Sequence, residues 1–373
     1  MKIKVGITGQ SGFIGTHLFN LIGTIDQFER IYFSDEFFQN EKILCEFVEQ
    51  CDVIVHLAAI NRSENQEELY NINIDLVVKL IGALQKTKSK AHVIFSSSIQ
   101  EKIDNFYGKS KFEGGRLLEK WSNSVCARLT NLVIPNIFGP YGRPYYNSFI
   151  ATFCHQLNNY EQPKIFADSN VKLKYVGSLC EEIIECIQNP NEDSEKRYVE
   201  PDFEMKVSEI LHQLQIYKNE YLELGIIPAL KDKNEVNLFN TFLSFIAKKE
   251  FYPKLYNKHT DDRGDFVELL KIKSGGQISF STTKPGVERG NHFHTRKIER
   301  FSVIKGEAII ELRKIGTEDK ITYQINGDLP SYVDIPIWYT HNIKNIGDDD
   351  LYTVFYINEF FNQEDPDTYF EKV

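Results

Sequence analysis

Ile3-Lys-Val-Gly-Ile-Thr8-Gly9-Gln-Ser-Gly12-Phe13-Ile14-Gly15 decides how the first half of this chain is read. Ile3 to Thr8 alternate and lean β-branched, which predicts a short buried strand. Past Gly15 the apolar positions Leu18, Leu21 and Ile22 take up helical spacing. A glycine-rich turn between a strand and a helix lets the backbone approach a pyrophosphate. The helix N-terminus adds unpaired N–H groups and a positive dipole end. Thr8, Gly9, Gly12, Phe13, Ile14 and Gly15 are therefore candidate nucleotide-binding residues.

Working outward, a second strand at 30–33 leads to Asp35, some 20 residues past Gly15. An acidic side chain there accepts a ribose 2′-hydroxyl and repels a 2′-phosphate, which favours NAD over NADP. Asp35 reads equally well as an exposed turn residue. A third strand, 52–59, is apolar on both faces, as in a parallel sheet, and ends on Leu57, Ala58 and Ala59 at the expected cofactor. The next helix carries Asn71 with Leu76, Val77, Leu80 and Ile81, and a fourth strand at 92–95 opens into Ser96-Ser97-Ser98. Strands alternating with helices predict a doubly wound α/β fold.

Tyr107-Gly-Lys-Ser-Lys111 sets a phenol and an ammonium at i and i+4 on one helix face. The cation is expected to lower the tyrosine pKa. The serine run faces the crevice where open α/β sheets bind ligands. Such a trio can protonate a carbonyl oxygen as hydride arrives. Further on, Asn147 and Ser148 either bind a sugar or diphosphate or cap the helix that follows.

The second half turns on Gly286-Val-Glu-Arg289-Gly290-Asn-His292-Phe-His294-Thr-Arg-Lys-Ile-Glu299, then Gly306 and, far downstream, His341. His292 and His294 share one strand face. A turn can bring Glu299 beside them, and with His341 they form a ligand set suited to zinc, iron, manganese or nickel. Short alternating segments at 266–269, 277–281, 301–304, 308–312, 321–324 and 352–356 predict an all-β sandwich or small barrel. Lys248-Lys-Glu-Phe-Tyr-Pro253 breaks the helical pattern before them, so the domains are expected at 1–250 and 251–373.

Composition bounds the function. A chain of 373 residues accommodates two domains. A net charge of −10 argues against nucleic acid and anionic membrane as partners. No apolar run approaches the ~20 residues of a membrane span, and no signal peptide is expected at the N-terminus. The six cysteines all lie in the first half without a C-x-x-C pair, which suits reduced thiols and a cytoplasmic location.

Over roughly residues 1–250 these motifs resemble the extended short-chain dehydrogenase/reductase family. The resemblance implies that Thr8 to Gly15 hold the cofactor, that Tyr107 is the catalytic acid and that Lys111 binds the nicotinamide ribose. It makes Ser98 the residue that orients a substrate carbonyl and Asn71 a support on the cofactor side. Phe138-Gly139-Pro140 matches the family's strand-to-loop step. An arginine commonly sits three residues before Asn136; here Val133 takes that place. The histidine segments resemble a cupin, although Trp338 stands where a glycine is usual. Asp262-Arg263-Gly264-Asp-Phe-Val-Glu268 and Gly286-Val-Glu-Arg289-Gly-Asn-His292 are similar to motifs of deoxysugar-nucleotide 3,5-epimerases, in which a histidine base acts beside a 4-ketone.

With Asn61-Arg62, the stretch 145–148 and the ending Asp365-Pro-Asp-Thr-Tyr-Phe370, the full order resembles the bifunctional capsular polysaccharide enzymes. That family forms UDP-2-acetamido-2,6-dideoxy-β-L-talose. The resemblance implies C3 epimerisation of a UDP-linked 4-keto-6-deoxy sugar in the cupin and NADPH-dependent C4 reduction in the first domain. It also implies zinc on His292, His294, Glu299 and His341, and a homodimer joined through the cupin. Asn61, Arg62, Asn136, Asn147, Ser148, Arg263 and Arg289 are the candidate substrate-binding residues, and His292 is a candidate base as well as a ligand. Two competing readings keep the reductase with a purely structural zinc cupin, or make the chain a sugar-nucleotide sensor without turnover.

Overall fold

The computed structural model describes residues 2–191, 194–256, 258–261, 264–267, 271–273, 276–359 and 362–373, with backbone alone at 258–261, 264–267, 271–272 and 277. Packing groups Met1–Phe149 with Ala167–Val207, and Ile150–Phe166 with Ser208–Val373.

In the first unit β1 (Ile3–Thr8), β2 (Phe28–Ile31), β3 (Val53–His56), β4 (His92–Ser98) and β5 (Leu129–Ile134) are joined by helices. These are α1 (Phe13–Ile22), α2 (Glu41–Gln50), α3 (Gln66–Thr87) and α4 (Phe106–Val125). β6 (Asn136–Phe138), β7 (Asn170–Tyr175), β8 (Glu195–Tyr198) and β9 (Phe203–Lys206) follow. Six strands form a parallel sheet in the order β2-β1-β3-β4-β5-β8, and β6-β7-β9 form a small second sheet. The order reverses between β1 and β3, and at such a switch point a crevice opens at the strands' C-terminal ends. Every residue of β3 is buried, as expected of a strand covered by helices on both faces.

Asn65 caps α3 by accepting the Glu67 and Glu68 N–H groups, each at 3.1 Å. Leu69, Asn73, Val77, Leu80 and Leu84, spaced by three and four, form the buried face of that helix. Asn105 caps α4 by accepting the Gly108 N–H at 2.7 Å. Gly108 has no room for a side chain, because a Cβ there would lie 2.0 Å from the Gln100 carbonyl oxygen. The glycine beside Tyr107 thus lets α4 press against the segment leaving β4.

The second unit contains β10 (Ile226–Ile227), β11 (Lys254–Leu255), β12 (Lys258–Asp261), β13 (Gly264–Val267) and β14 (Lys271–Ile272). It continues through β15 (Gln277–Thr283), β16 (Glu288–Phe293), β17 (Glu299–Lys305), β18 (Glu307–Lys314) and β19 (Lys320–Asn326). β20 (Ser331–Ile335), β21 (Tyr339–Asn345), β22 (Leu351–Ile357) and β23 (Tyr369–Phe370) complete it. Two five-stranded antiparallel sheets, β11-β20-β17-β22-β15 and β19-β18-β21-β16-β23, make a cupin-like β domain. Residues 208–250, read above with the first domain, pack here instead. β10 pairs with β14, the Tyr221 and Tyr252 hydroxyls meet at 2.7 Å, and Tyr323 donates to the Lys248 carbonyl at 2.9 Å.

A buried ion pair ties this unit together. Arg300, on β17 and 2% exposed, reaches Asp334 on β20 through Nε at 2.7 Å and Nη2 at 2.9 Å. The guanidinium also lies 3.9 Å from the Tyr332 ring centroid. A small cavity of about 10 Å³, room for roughly one water, is bounded by Glu299, Arg300, Asp334 and Tyr252. Removing one partner of such a pair strands the other charge without water, so Asp334→Ala is expected to cost about 3–5 kcal/mol. Urea denaturation checks this, and an unchanged midpoint would contradict it.

Candidate functional site

The glycine turn of the first unit is built for a phosphate. Gly9 has φ +71°, a left-handed conformation that glycine adopts without penalty. A Cβ on Gly15 would stand 2.2 Å from the Gly9 carbonyl oxygen. Gly12 closes the turn by donating to that carbonyl at 3.0 Å and begins α1, which no side chain caps and whose first turn holds no acidic residue. Its early N–H groups suit a pyrophosphate. Thr8 Oγ1 stands 2.7 Å from His56 Nδ1 and accepts the Ala58 N–H at 3.4 Å. Phe13 and Ile14 in α1, and Leu57, Ala58 and Ala59 after β3, are half-buried around the turn. Asp35 is exposed at the start of a single helical turn, where Ser11 Oγ donates to it at 3.4 Å. The carboxylate and the glycine turn are thus brought together, as the ribose reading requires.

Lys111 and Tyr107 both turn inward from α4. Lys111 Nζ donates to the Ser96 carbonyl at 2.8 Å and lies 5.8 Å from the Tyr107 ring centroid. Burial lowers Lys111 to about 8. The expected lowering of Tyr107 does not occur. Burial pushes the phenol above its ordinary value and neighbouring Tyr146 adds to this, while the ammonium is engaged by Ser96. A protonated phenol suits an acid that donates to a carbonyl oxygen. The serine run divides its work: Ser96 holds Lys111, and Ser97 Oγ donates to Glu101 at 2.8 Å. Ser98 Oγ accepts the Gln100 N–H at 3.2 Å, which leaves the hydroxyl its own proton to donate.

Asn71 is a correction: it is exposed on α3. The buried asparagine of this helix is Asn73, two residues on and 4% exposed. It accepts the Ile60 N–H at 2.8 Å, and donates to the Ile60 carbonyl at 3.0 Å and to Ser110 Oγ at 3.1 Å. Its i, i+4 relation to Leu69 and Val77 was the signal that separates the two. Asn61 and Arg62 lie near 145–148: the Asn61 N–H meets the Tyr146 hydroxyl at 3.3 Å, and Arg62 donates to the Tyr145 carbonyl at 3.4 Å. Asn147 is exposed and Ser148 half-buried, while Asn136 is exposed on β6 and donates to the Lys172 carbonyl at 3.5 Å. Tyr146 was not foreseen, since nothing in the sequence sets it apart from Tyr145.

In the second unit, ligand atoms of His292, His294, Glu299 and His341 all lie within 4.8 Å of one another. β16 bulges between Gly290 and His292, which sets His292 opposite His341 on β21. Glu299 Oε2 is 3.2 Å from His294 Nε2 and 3.1 Å from His341 Nε2. All three atoms are buried without a hydrogen-bond partner. Orphaned atoms of this kind are what a metal would satisfy, and two imidazoles with a carboxylate suit zinc. Burial raises the Glu299 carboxyl, but His294 and His341 outweigh it and hold the group well below its ordinary value. Burial, aided by His341 and His294, lowers His292 to about 4, so its imidazole is neutral and able to ligate at neutral pH. Trp338 takes φ +61°, a left-handed conformation that glycine adopts without penalty. Its N–H donates to the His294 carbonyl at 2.9 Å, and its ring stacks on Phe293 at 5.5 Å. Arg289 is exposed on β16, and Arg263 lies outside the described residues.

Residues 5–199 match the NAD dependent epimerase/dehydratase family, and residues 259–369 match the polysaccharide biosynthesis C-terminal domain. The chain belongs to the NAD dependent epimerase/dehydratase family. Within it, a Pseudomonas aeruginosa protein named UDP-2-acetamido-2,6-beta-L-arabino-hexul-4-ose reductase is 32% identical over 375 residues, 98% of each chain. The solved structure of the capsular polysaccharide assembling protein CapF from Staphylococcus aureus covers 100% of both chains at 32% identity, with a TM-score of 0.63. The spore coat polysaccharide biosynthesis protein SpsL of Bacillus subtilis is 28% identical over 120 residues, 30% of this chain and 80% of that protein. Among the described residues no helix is long and apolar enough to cross a membrane.

The geometry yields two tests on cofactor chemistry. Asp35→Asn removes the charge that repels a 2′-phosphate, so the ratio of NADPH to NADH efficiency is expected to rise about tenfold, on the order of 1.4 kcal/mol. An unchanged ratio would show that Asp35 selects nothing. Lys111 loses its proton as pH rises through about 8. If its cation is needed at the site, kcat/KM falls on the alkaline side with a midpoint near that value. A profile flat to pH 10 would remove Lys111 from that role.

Proposed function

We propose that this chain is a bifunctional sugar-nucleotide enzyme supplying a surface-polysaccharide precursor. Its second unit epimerises C3 of a UDP-linked 4-keto-6-deoxy-N-acetylhexosamine. Its first unit then reduces the C4 ketone with NAD(P)H to UDP-2-acetamido-2,6-dideoxy-L-talose. The observation that carries the reduction is a half-buried phenol held protonated beside Lys111, whose ammonium is bound at the end of β4, in a sheet that also carries a pyrophosphate-ready turn. The full-length relative named for a hexul-4-ose substrate supports a 4-ketone.

When bound, the nicotinamide cofactor supplies the hydride. Tyr107 donates its phenolic proton to the C4 oxygen as negative charge gathers there, and the Ser98 hydroxyl holds that oxygen in line. Lys111, fixed by the Ser96 carbonyl, would hold the nicotinamide ribose. Asp35 accepts the adenosine ribose hydroxyl, which favours NADH, whereas the family resemblance favours NADPH.

The proton on C3 is acidic because the charge left by its loss is delocalised onto the C4 oxygen as an enolate. Three of the four clustered groups, His294, Glu299 and His341, are buried and face one another, whereas His292 is half-buried at their edge. We assign the three to the metal and His292 to the C3 proton, a division that removes the conflict between ligand and base. Bound there, zinc supplies Lewis-acid stabilisation of developing negative charge. A homodimer joined through the β domain and a cytoplasmic location complete the reading.

Tyr107→Phe separates the two activities. With the 4-keto substrate in D₂O, the full-length variant is expected to lose about 10²–10⁴-fold in reduction while still incorporating deuterium at C3. Adding His292→Asn is expected to abolish that exchange. Absence of exchange in Tyr107→Phe itself would favour a structural role for the β domain, and undiminished reduction would remove Tyr107 as the acid.

A further inference from the structure

The ending Asp365-Pro-Asp367-Thr-Tyr-Phe370 takes no part in either reaction above, yet it packs against the histidine cluster. Asp367 is 2% exposed and has φ +41°, a left-handed conformation that Asp and Asn tolerate better than most side chains. Its carboxylate accepts the backbone N–H groups of Thr295 at 3.1 Å, Arg296 at 3.0 Å and Lys297 at 3.2 Å, and the Thr295 hydroxyl at 2.6 Å. Its own carbonyl oxygen lies 2.5 Å from His294 Nδ1. A carbonyl can only accept, so Nδ1 carries a proton, and in the neutral ring the lone pair is then on Nε2. Nε2 is the atom 3.2 Å from Glu299 Oε2, the side on which a shared metal ion would be held.

We propose that Asp367 is a positioning residue for the metal, fixing the tautomer of His294 through its carbonyl and the loop behind His294 through its carboxylate. This role rests on the reading that the cluster binds a metal. A ligating imidazole needs its other N–H held, so that the ring is oriented and its lone pair presented to the ion. The carboxylate's four contacts gather the three residues directly after His294, and so hold the carbonyl where Nδ1 can reach it. The rest of the tail is fastened elsewhere. Arg296 pairs with Asp365 at 2.8 Å, Lys297 Nζ donates to the Pro366 carbonyl at 2.6 Å, and Arg313 pairs with Glu371 at 2.8 Å. A change at position 367 therefore loosens the imidazole's hold while these anchors remain.

The test strips the full-length protein with a chelator and titrates it with zinc against a chromophoric competitor; cobalt loading then reports ligand geometry through its visible spectrum. Asp367→Ala is expected to weaken zinc binding about 10–100-fold and to alter the cobalt spectrum. Asp367→Asn keeps an acceptor oxygen and tolerates the left-handed backbone, so it is expected to recover much of the loss. Wild-type zinc affinity and an unaltered cobalt spectrum in Asp367→Ala would overturn the role of Asp367 and leave the metal reading standing. Wild-type protein that takes up neither ion would overturn the metal reading, and this role with it. If Asp367→Ala does not fold, Thr295→Val, which removes one contact to the carboxylate, decides: severalfold weaker zinc binding supports the role and unchanged binding overturns it.

Discussion

Taking the Lys111 ammonium out of water is the constraint on which the first unit is organised. An isolated buried cation costs several kcal/mol, and here the Ser96 carbonyl and hydroxyl, with the faces of Phe95 and Tyr107, replace its hydration. That arrangement demands that α4 lie hard against the end of β4, and Gly108 permits it. Once α4 is seated, the depth of Tyr107 is set. Asn73 then ties the same helix, through Ser110, to the loop leaving β3. The C-terminal ends of β3 and β4 are therefore linked by hydrogen bonds among buried groups rather than by packing alone.

The second unit meets the same difficulty with the opposite answer. Arg300 and Asp334 satisfy each other, bidentately and away from water. One residue before Arg300, Glu299 and two imidazoles are gathered with their polar atoms left over. The β domain thus completes one buried charge network and sets beside it a cluster whose polar atoms a metal ion would satisfy.

Much of this was legible in the sequence because it rests on local pattern. The glycine turn, the i, i+4 pair Tyr107–Lys111, the alternating strands and the cluster of three histidines and a glutamate are all visible as spacing, and the family match supports the fold that they implied. The rest depends on burial, which spacing does not report. Asn71 and Asn73 both lie on α3, and the three-dimensional face decides between them. The direction of the Tyr107 shift reverses because desolvation outweighs a cation engaged elsewhere, a balance that no motif encodes. Trp338 looked like a departure from the cupin pattern. The structure holds Trp338 in a left-handed conformation, as a glycine would allow, and sets the cost against burial and stacking.

That tryptophan has an optical consequence. The chain holds two tryptophans, Trp121 buried in the first unit and Trp338 buried in the second. The backbone of Trp338 is bonded to His294, and its indole rests on Phe293, between His292 and His294. Each unit thus carries its own fluorophore. Replacing Trp121 would leave an emission spectrum that reads the neighbourhood of the histidines alone, without any label being added.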